Sequence, residues 1–98
     1  MFQIYWTEEA EQDLEFILTY YLENASIRVV ESVYTRIKEQ VENLNNFPER
    51  TRPGKVIGTR EYVFNRLPYI AIVKIDNDTV VVLNIIHSAR KYPPDHKT

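Results

Sequence analysis

The chain has 98 residues, 44% of them apolar, a net charge of −2 and no cysteine. That length builds one domain around one core, and that apolar share argues against disorder. The absence of cysteine excludes disulfide stapling and thiol chemistry, and no apolar run approaches the roughly 20 residues of a membrane helix.

The first residues, MFQIYWTEEAEQD, turn acidic by Glu8 and lack the basic start of a signal peptide. A cytoplasmic protein with no membrane partner is therefore expected. No cofactor or metal is expected either, because the two histidines, His87 and His96, have no carboxylate partner that the sequence places beside them. The charge is uneven. Residues 1–47 hold nine acidic and three basic groups, net −6, and residues 48–98 hold five acidic and nine basic groups, net +4. Two readings stand: acidic helices beside a basic sheet, or a basic face that meets an anionic partner.

Residues 2–6, FQIYW, alternate and suit a short strand. Thr7 then reads as an N-cap, with Glu8 and Glu9 in the first helical turn, where the helix dipole favours negative charge. Ala10, Leu14, Ile17, Leu18 and Tyr21 follow at helical spacing, which predicts a helix from Glu8 to Leu22. Asn24-Ala25-Ser26 breaks it, and Ser26 caps a second helix. Its stripe is Val30, Val33, Tyr34, Ile37, Val41 and Leu44, and Asn45-Asn46 and Pro48 end it. So short a connection predicts an antiparallel hairpin.

Residues 47–58, FPERTRPGKVIG, contain both glycines. They read as a loop exposing Arg50, Arg52 and Lys55. Three strands follow, at 60–66, 69–75 and 79–86, with Asp76-Asn77-Asp78 as a hairpin turn. The predicted fold is α+β in the order β-α-α-β-β-β, a helical hairpin packed on a mainly antiparallel sheet. One domain spans residues 1–94, and 95–98 are expected to be a disordered tail.

The last strand ends on His87, Arg90, Lys91 and Tyr92, followed by Pro93-Pro94. Strict alternation would put His87 on one face with Val81, Leu83 and Ile85, closing the core with its ring bonded to backbone. The strand itself is apolar on both faces, so both should be covered. Arg90 and Lys91, beyond it, have no evident core role. Phe2, Tyr5, Trp6, Phe16, Tyr20 and Tyr62 exceed what two stripes and one sheet face bury, which suggests a surface that a partner covers.

Three segments taken together resemble a known family. TEEAEQDLEFILTYY (7–21), GTREYVF (58–64) and PYIAIVKIDNDTVVVLNIIHSARKYP (68–93) are similar to the RelE/ParE superfamily of toxins from bacterial type II toxin–antitoxin systems. The matches are an Ala-x-x-Asp-Leu helix opening, Gly-x-Arg-Glu, a Pro-Tyr hairpin and a His-x-x-Arg-x-x-Pro ending. The ending looks more like the ParE branch and the plasmid-stabilisation proteins near it. That likeness implies a growth inhibitor neutralised by a cognate antitoxin, with DNA gyrase as its protein target. Partner contacts would fall on Arg90, Lys91 and Arg60. The RelE-like alternative implies an mRNA endonuclease, working on the ribosome or free. There His87 would move the proton, Arg60 and Arg90 would clamp the scissile phosphate, and Tyr92 would stack on a base or serve as a weak acid. A third possibility is a domain that keeps the fold without toxin activity. The bland readings remain beside these: Arg60 as a strand-edge ion pair with Glu61, and Tyr92 packing the tail.

Overall fold

The computed structural model describes residues 1–90, 92 and 93. The expectations for Lys91, Pro94, His96 and the 95–98 tail lie outside the described residues. Chain order runs β1 (Gln3–Trp6), α1 (Glu8–Asn24), α2 (Ile27–Glu42), β2 (Arg52–Pro53), β3 (Arg60–Val63), β4 (Tyr69–Asp76) and β5 (Thr79–His87), with 3₁₀ turns at Asn43–Asn45 and Pro48–Arg50. The helices pack on one face of a single five-stranded sheet ordered β1-β5-β4-β3-β2. The sheet is mixed: β1 runs parallel to β5 and every other pair is antiparallel.

Local chemistry explains where the helices begin. The Thr7 hydroxyl accepts from the Ala10 amide at 3.1 Å, and the Ser26 hydroxyl accepts from Val29 at 3.2 Å. The α1 stripe buries Ala10, Leu14 and Ile17, and α2 buries Val33, Ile37 and Val41, with Leu44 just beyond. These meet Tyr69, Ala71, Val73, Val80, Val82 and Ile85 of the sheet in one core. Tyr34 departs from its predicted stripe and is exposed. The helix hairpin is also tied to the β3–β4 turn by polar contacts. Gln40 accepts from the Tyr62 hydroxyl and the Asn65 amide, both at 2.8 Å, and its own amide donates to the Asn65 carbonyl at 3.1 Å.

Several boundaries differ from the sequence expectation. Residues 47–58 are not all loop, because Arg52 and Pro53 pair with Glu61 and Arg60 as a two-residue edge strand. A strand that short carries no periodicity to read. β3 stops at Val63 rather than residue 66, where Arg66 takes a positive φ of 62° in the turn before Pro68. Asp76 belongs to β4, so the hairpin turn is Asn77-Asp78, with Asn77 at φ 54°.

The larger correction concerns β5. The pairing with β4 shifts between Ile72 and Val73: Val73 faces Val82, but Ile72 faces Asn84. Leu83 is the additional residue, a bulge that reverses the alternation. His87 and Ile85 therefore share the helix-side face with Val80 and Val82, and not with Val81 and Leu83. His87 is exposed there and does not close the core. Nor are both faces of β5 fully covered, since Val81, Leu83 and Asn84 are only half-buried.

The bulge has its own partners. β1 ends at Trp6 opposite Val82, and beyond it α1 takes over the edge of β5. The Thr7 amide donates to the Val82 carbonyl and the Thr7 hydroxyl to the Leu83 carbonyl, each at 3.0 Å. One oxygen of Asp13 accepts from the Ile85 amide at 3.0 Å and from the Asn84 side chain at 3.1 Å. Among the described residues no helix is long and apolar enough to cross a membrane.

Asp13→Ala should cost about 1–3 kcal/mol in urea unfolding, because it strands the Ile85 amide at a half-buried edge. Asp13→Asn keeps an acceptor oxygen and should cost less than half as much.

Candidate functional site

Beyond the last β5 hydrogen bonds, the chain turns tightly. The Ser88 amide donates to the Pro68 carbonyl at 2.8 Å, and the Arg90 amide donates to the His87 carbonyl at 2.9 Å. Ser88 and Ala89 are small enough for that turn. It swings Arg90 back toward α1 and opens a cleft of about 820 Å³ between that helix and the end of the sheet. Asp13, Phe16, Ile17, Tyr20 and Tyr21 line it from α1, with Gln12 at its side. Tyr69, Ile85, His87 and Arg90 line it from the sheet and the turn.

Aromatic rings dominate this cleft. Tyr20 meets Tyr21 edge to face at 5.4 Å, and Tyr69 meets His87 in the same way at 5.5 Å. The Tyr69 hydroxyl donates to that of Tyr21 across 3.4 Å. Burial holds the Tyr69 phenol well above its ordinary range, and the hydrogen bond and the neighbouring Tyr21 and Tyr20 add to the effect. Phe16 and Tyr20, by contrast, stand 77% and 53% exposed at the mouth.

The sequence-predicted residues separate into two groups. His87 and Arg90 share the cleft. His87 Nδ1 accepts from the Ala89 amide at 3.1 Å, so in the neutral ring the proton lies on Nε2. The Arg90 side chain makes no hydrogen bond or ion pair among the described residues. Tyr92 is half-buried just after this turn. Arg60 is elsewhere. β4 lies between β3 and β5, so the two strands do not pair, and Arg60 lies level with Val73 and Val82. From strand spacing and rise, its backbone is about 10 Å sideways and about 13 Å along the sheet from that of His87. Its guanidinium donates to the Thr51 hydroxyl at 2.7 Å and the Thr51 carbonyl at 2.9 Å.

Nor does Arg60 pair with Glu61. The partner of that buried carboxylate is Arg52, whose Nε and Nη2 both donate to Glu61 Oε1, at 3.0 and 2.9 Å. Arg50 lies over the Phe47 ring at 4.2 Å, and burial raises the Tyr62 phenol against the opposing pull of the Arg50 charge. The loop cations thus brace the far edge of the sheet. A second cleft, of about 410 Å³, runs between the two helices. It includes Trp6, whose ring lies 4.6 Å from Lys38 Nζ and whose buried Nε1 has no hydrogen-bond partner among the described residues. This cleft holds none of the predicted site residues.

Residues that the sequence reading passed over prove central to the larger cleft. Asp13 and Tyr69 belonged to recognisable motifs, but nothing in their spacing said that they would meet His87. Phe16 and Tyr20 were singled out as excess aromatics, and both are exposed.

Comparison with known proteins places this architecture. Residues 4–92 match the family model described as the ParE toxin of the type II toxin–antitoxin system parDE. A relative from Sinorhizobium fredii (strain NBRC 101917 / NGR234), named "Putative toxin Y4kP", is 33% identical over 91 residues, covering 93% of each chain. A structure from the chromosomal ParDE toxin–antitoxin system of P. aeruginosa superposes with a TM-score of 0.82 at 26% identity, over 89% of this chain and 96% of that one. The RelBE2 toxin–antitoxin complex of Mycobacterium tuberculosis shares the fold, with a TM-score of 0.57 at 23% identity, over 88% of this chain and 96% of that one.

The raised Tyr69 phenol has a consequence at alkaline pH. Its folded pKa lies above the unfolded value of 10.0, so its contribution to stability is constant below about pH 10 and is lost above it, as the unfolded chain ionises first. Tyr69→Phe should flatten that alkaline decline in melting temperature measured from pH 8 to 11.

Proposed function

The chain belongs to the ParE toxin family of type II toxin–antitoxin systems, and from that premise we propose that it inhibits growth by binding a protein target through the Arg90 end of β5. By family likeness that target is DNA gyrase in the cytoplasm, and a cognate antitoxin silences the toxin. The observation that carries this reading is the separation of Arg60 from Arg90. RNA cleavage needs a proton-transfer group and phosphate clamps around one scissile bond. Arg60 is engaged with Thr51 two strands away, and the loop cations Arg50 and Arg52 are engaged at the same far edge. Among the described residues lining the cleft, Arg90 is the one Lys or Arg beside His87, and a lone guanidinium is a poor clamp for a phosphate.

Arg90 suits a protein contact. Its backbone is held by the turn to His87, and a guanidinium binds a carboxylate through two parallel hydrogen bonds. The mRNA interferase remains the second reading, favoured by one observation. His87 is exposed and its Nε2 has no hydrogen bond among the described residues, so it is free to carry a proton.

Two experiments separate the readings. His87→Gln should leave growth inhibition on induction within about twofold of the parent, and primer extension should show no mRNA cuts. If His87 shuttles a proton, the same change removes a factor of about 10²–10⁴ and specific cuts disappear with it. Arg90→Ala should change unfolding free energy by no more than about 0.5 kcal/mol, yet reduce both toxicity and inhibition of purified gyrase. Arg90→Lys should restore little of either if the contact is bidentate.

A further inference from the structure

Helix α1 carries an unrelieved negative charge. Glu8, Glu9, Glu11, Asp13, Glu15 and Glu23 lie on it, with no Lys, Arg or His among residues 8–24. Its last turn contains Glu23 and no basic side chain, although the free carbonyls at a helix C-terminus favour a cation. α2 is balanced, with three acidic and three basic residues, so the surplus belongs to α1 alone.

Asp13 is where this charge reaches the larger cleft. Its Oδ2 accepts from Asn84 and Ile85, while its Oδ1 makes no hydrogen bond and its carboxylate no ion pair among the described residues. One helical turn on stands Phe16, and a further turn on Tyr20, both exposed at the mouth. Inside, the Tyr21 and Tyr69 hydroxyls touch. Aromatic faces beside an unpaired carboxylate form a receptor for one cationic side chain, since the rings attract the charge and cover the aliphatic stem.

We propose that this cleft receives a single arginine or lysine side chain of the antitoxin, its cation on Asp13 Oδ1 and its stem across Phe16 and Tyr20. The proposal rests on the reading of this chain as a toxin silenced by an antitoxin. It assigns the occupant to the antitoxin rather than the target because Arg90 lines the same cleft. A segment seated there covers the cation through which the toxin acts, so capture and silencing become one event. The negative charge of α1 draws a basic segment to this wall, and Arg90 disfavours more than one positive side chain in the cleft.

The test is calorimetric titration of the full-length toxin with its cognate antitoxin. Asp13→Asn removes the charge and keeps an acceptor for Ile85, and should weaken the dissociation constant about tenfold or more. Phe16→Ser, at a 77% exposed position, should weaken it several-fold with an unchanged melting temperature. In the antitoxin, the contacting Arg or Lys changed to Gln should weaken binding to the parent toxin, with no further loss against Asp13→Asn. Parent-like dissociation constants for Asp13→Asn overturn the proposal, and so does full additivity in that cycle. If Asp13→Asn unfolds, a parent-like constant for Phe16→Ser overturns it equally. Failure of the underlying toxin reading shows separately, as absence of growth inhibition when the parent is induced without antitoxin.

Discussion

β1 ends at Trp6, and from Leu83 onward the β1-side edge of β5 has no strand beside it among the described residues. A sheet edge at a half-buried position must still satisfy its amides and carbonyls, at about 1–3 kcal/mol for each one left unpaired. Here the start of α1 does this. Thr7 serves both as the helix N-cap and as a donor to Leu83, and Asp13, less than two turns later, accepts from Ile85. Helix and sheet are therefore docked by hydrogen bonds as well as by the burial of Ala10, Leu14 and Ile17. The bulge at Leu83 belongs to the same arrangement. It turns Ile85 and His87 to the helix side, and without that reversal β5 would give the cleft no wall and Tyr69 alone would line it from the sheet.

The charges of the chain divide along the same line. The positive half places three of its cations at the β2–β3 edge, where Arg52 meets Glu61, Arg60 meets Thr51 and Arg50 covers Phe47. These contacts hold a two-residue strand and a 3₁₀ turn that have little core of their own. Arg52 is the exposed member of its pair and Glu61 is buried, so the pair shields a carboxylate that could not stand alone beside Ile72. The negative half keeps its charge on the open surface of α1. The asymmetry in sequence thus has two sources: structural cations on one side, and an unpartnered acidic helix on the other.

One scaffold can support more than one activity, and the difference lies in which side chains its strand ends bring together. Among the described residues, the end of β5 gathers tyrosines, one histidine and one arginine beside a carboxylate. The proposed protein contact rests on that composition, because a surface that binds phosphate gathers several cations.

Sequence alone determined the helices, their caps, the presence of β1, β3, β4 and β5, and the α+β class. Each of these follows from contacts within about four residues, such as Thr7 with Ala10, Ser26 with Val29, and the alternation of Tyr69 to Ile75. Sequence also singled out Arg90 and His87, because titratable groups after an apolar strand are unusual. Tertiary structure alone decided the rest. The bulge at Leu83 depends on the simultaneous demands of β4 and α1. The exchange of partners that gives Arg52 to Glu61 and Arg60 to Thr51 depends on a two-residue strand. Asp13 acts on residues 71 and 72 positions away. A one-residue slip reverses every side chain beyond it, so the placement of His87 could not be read from alternation within its own strand. It required knowing what stood beside that strand, which is set by chain closure over long range.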